Sequence, residues 1–174
     1  GMFSRAFFAG VGQVPIDRSG GRASEAAIQT GLSILAQGDL LGIYPEGTRS
    51  PDGRLYRGRT GVARMAIEAG VPIIPVAMIG TYEVQPTGQI WPKIRRISIA
   101  YGAPIDTAEY AGQDKDPVVL RALTNRIMQS LQELSGQEYV DIYATKAREL
   151  ASQQNEVDAE VAEQIADAED ERQN

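Results

Sequence analysis

The stretch Leu40-Leu41-Gly42-Ile43-Tyr44-Pro45-Glu46-Gly47-Thr48-Arg49-Ser50 decides how this chain is read. Its first five residues are apolar or glycine, the composition of a short buried strand, and Pro45 ends it. A glutamate, a glycine, two hydroxyls and an arginine follow at once. An apolar strand thus delivers a polar tip at its carboxyl end, the edge of an open α/β sheet where ligands bind. Gly47 lets the backbone approach a ligand closely, and Thr48, Arg49 and Ser50 offer donors suited to phosphate oxygens. Glu46 can accept from substrate hydroxyls or hold an arginine in place. The plain alternative is a solvated turn with a structural Glu–Arg pair, and spacing alone leaves the two readings level.

Outward from this stretch, apolar runs alternate with helical stripes. Val11 to Ile16 reads as a short buried strand. Ser24 is read as an N-cap for a helix carrying Ile28, Leu32 and Leu35, with Gly38 just past its end. After an irregular loop to about Gly58, a helix is expected from about Thr60 to Ala69, stopped by Gly70. Val71 to Ile79 is a second near-continuous apolar run, and Ile97, Ile99 and Tyr101 alternate as in a strand with one exposed face. Asp116 and Pro117 mark a helix start, and Leu120, Leu123, Ile127, Leu131 and Leu134 form its stripe up to Gly136. Tyr139, Tyr143, Ala147 and Leu150 are read as a weaker helical stripe. The pattern indicates an α/β fold with a largely parallel sheet flanked by helices. Residues 1–135 form the main domain, 136–150 a helical extension and 151–174 an acidic tail, helical or disordered. The tail's acid content favours fraying over the helix suggested by Val157, Val161 and Ile165.

Composition narrows the chemistry. The 174 residues carry a formal charge of −6, yet residues 151–174 hold eight acids and one base, so residues 1–150 are nearly neutral. Five arginines lie between positions 49 and 64 (Arg49, Arg54, Arg57, Arg59, Arg64) with Asp52 the only acid there, which reads as an anion-binding surface. Cysteine is absent, excluding disulfides and thiolate chemistry. Histidine is absent too, so an imidazole base is not available within the chain. No metal site is expected. No apolar run is long enough to span a membrane as a helix, and the basic cluster lacks the interleaved aromatics of a nucleic-acid surface.

A second constellation echoes the first: Val14-Pro15-Ile16 delivers Asp17-Arg18-Ser19-Gly20-Gly21, where Arg18 can pair with a phosphate. Its plain alternative is a surface turn. Dinucleotide, Walker and nucleophile-elbow templates all fail.

At these constellations the chain resembles the glycerophospholipid acyltransferases of the 1-acyl-sn-glycerol-3-phosphate acyltransferase (lysophosphatidate acyltransferase) type. Gly12-Gln13-Val14-Pro15-Ile16-Asp17-Arg18 is similar to the family's second motif, with proline replacing an aromatic residue. Glu46-Gly47-Thr48-Arg49-Ser50 matches the third motif in full, and Val71-Pro72-Ile73-Ile74-Pro75-Val76-Ala77 matches the fourth. Tyr56 to Gly61 resembles the basic stretch between them. The resemblance covers roughly residues 3–135.

The resemblance implies acyl transfer from acyl-CoA or acyl-carrier protein to a lysophosphatidate-like acceptor in the complete protein, as a step of phospholipid biosynthesis. No other cofactor is implied, because the thioester is already activated. It further implies that Arg18, Glu46, Gly47, Thr48, Arg49 and Ser50 bind the glycerol-phosphate part of the acceptor, with Arg59 beside them. The family's first motif, N-H-x-x-x-x-D, supplies the base and is missing here. Asp17 and Glu46 are poor substitutes, since an ordinary carboxylate is a weak base toward an alcohol. The chain is therefore expected to be an amino-terminally truncated, inactive acyltransferase domain, with no catalytic residue of its own. The alternative is a non-catalytic phosphate-monoester or lipid-headgroup binding module. Peripheral contact with the inner face of the cytoplasmic membrane is implied. Phe3, Phe7 and Phe8 are candidates for it or for packing, and the acidic tail faces away from the bilayer.

Overall fold

The computed structural model describes residues 22–173. The strand expected over Val11–Ile16, the turn bearing Arg18, and Phe3, Phe7 and Phe8 lie outside the described residues. Helices and short strands alternate in the order α1 (Arg22–Ala36), β1 (Leu55–Tyr56), α2 (Gly61–Ala69), β2 (Val76–Ile79), α3 (Thr81–Val84), β3 (Ser98–Tyr101), α4 (Pro117–Ser135), β4 (Tyr139–Val140) and α5 (Ala144–Gln173). β1 and β4 pair in parallel, Leu55 opposite Tyr139 and Tyr56 opposite Val140. β2 and β3 pair antiparallel, Val76 opposite Tyr101 through Ile79 opposite Ser98. This is an α/β fold of helices flanking short strands, with parallel pairing where the long crossover brings the chain back.

The helices with the clearest local signals form where the sequence places them. In α4 the Asp116 carboxylate accepts from the backbone N–H groups of Val118 (2.8 Å) and Val119 (3.3 Å), with Pro117 following. Gly136 ends that helix at φ 69°. α2 ends at Gly70 in the same left-handed conformation, its N–H reaching back into the last turn. An L residue there would be strained. Ala63 and Ile67 of α2, Leu120, Leu123 and Ile127 of α4, and Ile105 form one buried cluster. Inside it, Thr124 satisfies its hydroxyl on the Leu120 carbonyl at 2.7 Å. α1 is pinned to α2 by a two-pronged Arg64–Glu25 ion pair, with contacts of 2.7 and 2.9 Å.

Four readings need correction. Ser24 lies inside α1, which already runs from Arg22, so it is not the cap. Residues 40–43 form no strand, and Leu40 is 94% exposed. Apolarity marks a segment able to be buried, but a strand also needs a neighbour offering its backbone groups. Among the described residues none pairs with 40–43. Of Val71–Ile79 only the last four residues join a sheet, because Pro72 and Pro75 lack N–H donors and leave Ile73 a lone bridge to Ile105. Tyr139 belongs to β4, not to a helix, because its backbone pairs with the buried β1. Beyond it, α5 runs through the acidic segment to Gln173.

Candidate functional site

The third-motif turn is clamped against the basic stretch that follows it. Gly47 donates its N–H to the Tyr44 carbonyl at 3.1 Å and adopts φ 73°. A Cβ on Gly47 would lie 3.1 Å from both Cδ and Nε of Arg59, so only glycine lets that side chain lie across the turn. The Arg59 N–H donates to the Pro45 carbonyl at 2.8 Å, fixing the two segments backbone to backbone.

Glu46 supports the turn from below. Its Oε2 accepts from the N–H of buried Tyr56 at 2.8 Å, tying the turn to β1. Burial pushes the Glu46 carboxyl above its ordinary range, and the Tyr56 N–H partly opposes this. Asp52 is different. Burial pushes it up, but the Arg54 guanidinium, the Arg54 N–H and the Tyr56 hydroxyl together hold it below the usual carboxylate range.

The far side of the turn is met by residues from the C-terminal part of the chain. One Nη of Arg148, on α5, donates to the Arg49 carbonyl at 2.9 Å and reaches the Thr48 hydroxyl at 3.4 Å. Tyr143, just before α5, lies under two guanidinium groups, Arg59 at 5.1 Å and Arg57 at 5.6 Å from the ring centre. Its hydroxyl accepts from Arg121 at 3.2 Å, and the same arginine donates to the Gly58 carbonyl at 2.9 Å. The ring's negative face lets several cations share a small volume. Asp141 offsets Arg57 at 3.5 Å.

The structure brings Glu46, Gly47, Thr48 and Arg59 together. Arg49 turns its guanidinium away to the Gln85 carbonyl, at 2.8 Å. The Ser50 hydroxyl is occupied locally, accepting from the Gly53 N–H at 3.0 Å and lying 3.3 Å from Asp52. Arg18 lies outside the described residues. Tyr56, Arg121, Tyr143 and Arg148 were not legible as site residues: they reach the turn across the fold, and no local pattern marks them. The resulting surface can hold an anion through charge-assisted hydrogen bonds. Among the described residues no group of three metal-ligating side chains occurs.

Residues 2–79 match the family model described as Acyltransferase. The 1-acyl-sn-glycerophosphate acyltransferase PlsC of Thermotoga maritima has a similar structure, with a TM-score of 0.52 and 27% identity, over 62% of this chain and 44% of that one. The chloroplastic 1-acyl-sn-glycerol-3-phosphate acyltransferase BAT2 of Brassica napus is 35% identical over 78 residues, 45% of this chain and 23% of that protein. Over part of its length the chain is similar to 1-acyl-sn-glycerol-3-phosphate acyltransferases. A further relative, the 1-acyl-sn-glycerol-3-phosphate acyltransferase of Limnanthes alba, is 30% identical over 107 residues, 61% of this chain. The chain spans 23% and 38% of the lengths of these two plant relatives.

Proposed function

We propose that this chain carries the acceptor-headgroup site of a 1-acyl-sn-glycerol-3-phosphate acyltransferase, which in complete form moves an acyl group from acyl-CoA or acyl-carrier protein to a lysophosphatidate-like lipid. The observation that carries this reading is the clamp of Arg59 across Gly47 beside the Thr48 hydroxyl, which leaves cationic and hydroxyl donors around one turn. The acceptor phosphate sits against these donors, with Arg18, Arg49 and Ser50 proposed to complete its binding. The thioester donor needs no metal or redox cofactor. The enzyme works peripherally on the inner face of the cytoplasmic membrane.

The 174 residues contain no histidine, so the chain alone binds without transferring. The same absence favours a second reading, a headgroup-binding module that never had the base. Titrating glycerol 3-phosphate into isotopically labelled protein tests the shared part. Shifts confined to Gly47–Ser50 and Arg59, in the millimolar range, are expected, with no acyl transfer in a parallel assay. If Arg59→Ala leaves the shifts unchanged, the site is misplaced. Placing an N-H-x-x-x-x-D segment ahead of the chain separates the two readings: transfer appears for the enzyme, and binding alone persists for the module.

A further inference from the structure

Residues 85–97, between α3 and β3, differ from the rest of the surface. Ile90, Trp91 and Ile94 are 81%, 82% and 102% exposed, three large apolar side chains within five positions. Single exposed apolar residues are ordinary, but a contiguous exposed group marks an interaction site. Lys93, Arg95 and Arg96 stand exposed in the same segment. They line an open recess of about 660 Å³ in which Glu83 is the one carboxylate.

The segment holds a defined shape. The Gln85 side-chain amide donates to the carbonyls of Gln89 (3.3 Å) and Ile90 (3.1 Å), and the Lys93 N–H donates to the Val84 carbonyl at 2.7 Å. At its far end Gly80, with φ 88°, allows the Arg96 carbonyl to approach to where a Cβ would stand 2.6 Å away. Its base is joined to the third-motif turn twice. Arg49 donates to the Gln85 carbonyl at 2.8 Å, and the Thr87 hydroxyl donates to the Ser50 carbonyl at 2.6 Å.

We infer that residues 85–97 are a membrane-docking loop. Ile90, Trp91 and Ile94 enter the boundary between headgroups and acyl chains, and Lys93, Arg95 and Arg96 pair with the phosphates of anionic lipid. Tryptophan favours that boundary because its ring is apolar while its N–H needs a polar partner. The basic residues around an apolar tip match the charge order of an anionic leaflet, apolar within and negative at the surface. No helix among the described residues is long and apolar enough to cross a membrane, so contact through such a loop is peripheral. The two hydrogen bonds at the loop base then bring the Thr48–Arg49 turn to the lipid surface. Docking stands apart from acyl transfer and from headgroup binding, because vesicles without lysophosphatidate read it alone.

Trp91 is the only tryptophan in the chain, so its emission reports on the loop tip. In the full 174-residue chain the emission should be that of a solvent-exposed indole, quenched by acrylamide. Vesicles of equimolar phosphatidylglycerol and phosphatidylcholine should shift it to the blue, and lipid brominated on the acyl chain should quench it. Replacing the bases together (Lys93→Gln, Arg95→Gln, Arg96→Gln) should weaken partitioning about 100-fold, from the usual attraction of juxtamembrane bases to an anionic surface. Salt at 1 M should weaken it as well. Unchanged emission on anionic vesicles overturns the inference. So does emission already blue and unquenchable in solution, which would place the tip under the chain's own residues or a second copy. Equal binding to pure phosphatidylcholine overturns the part assigned to the bases.

Discussion

Glu46 tests whether the third-motif glutamate holds the turn or serves the ligand directly. Its Oε2 is the acceptor for the Tyr56 N–H at 2.8 Å, and Tyr56 is 1% exposed. Glu46→Ala therefore leaves a buried donor without its partner, at a cost of about 1–3 kcal/mol. For a chain of this size that corresponds to a fall in Tm of roughly 2–4 °C per kcal/mol. Glu46→Gln keeps a carbonyl acceptor while removing the charge, so it should stay within about 0.5 kcal/mol of the natural protein near pH 4.5. The pH dependence has a definite sign. The folded carboxyl is raised above its ordinary 4.5, so the folded state holds the proton more tightly than the unfolded chain. Ionisation then removes stability as pH climbs from about 4.5 upward, and Glu46→Gln should gain on the natural protein between pH 4.5 and 7. Urea unfolding of both variants at several pH values measures this. A Gln variant as unstable as the Ala variant, or a gap that moves the other way with pH, would refute the account.

Three other substitutions probe the same framework. Arg148→Ala removes the contacts to the Arg49 carbonyl and the Thr48 hydroxyl; it should barely alter stability but weaken glycerol 3-phosphate binding about two- to fivefold, read in the same titration. Gly58→Ala places a Cβ 2.7 Å from the Met128 sulfur and 3.1 Å from Thr124 Cγ2, and should cost about 1–3 kcal/mol by thermal unfolding. Asp116→Ala strips the cap of α4 and should cost about 1 kcal/mol, with Asp116→Asn recovering most of it.

The sequence made legible whatever local chemistry decides. Asp116 and Pro117 announced α4, Gly70 and Gly136 announced helix ends, and the Glu46–Ser50 run marked the turn on which the candidate site is built. What stayed hidden depends on residues far apart in the chain. Leu55–Tyr56 looked like part of a basic loop because two residues carry no period, and only pairing with β4 makes them a strand. Leu40 looked buried because apolarity records a tendency, not a neighbour. Arg49 reaches the Gln85 carbonyl 36 positions away, and the position of that carbonyl is set by the loop leading to Trp91. Arg148 lies about 100 positions from the residues it touches, beyond the reach of any sequence pattern.

The pairing of β1 with β4 also sets the order in which the domain can assemble. Leu55 and Tyr139 are 84 positions apart, as are Gly53 and Gln137, whose side-chain amide donates to the Gly53 carbonyl at 2.6 Å. Closing so long a loop costs entropy before its contacts repay it, which slows folding of the segments that depend on it. During synthesis the Glu46–Arg59 clamp therefore waits, its β1 support unpaired, until the ribosome has released β4. Tyr143 and Arg148 follow within a few residues. Refolding experiments should show the α2–α4 cluster protected first and the anion surface last, so the site is the part of the molecule completed only when the rest of the fold already stands.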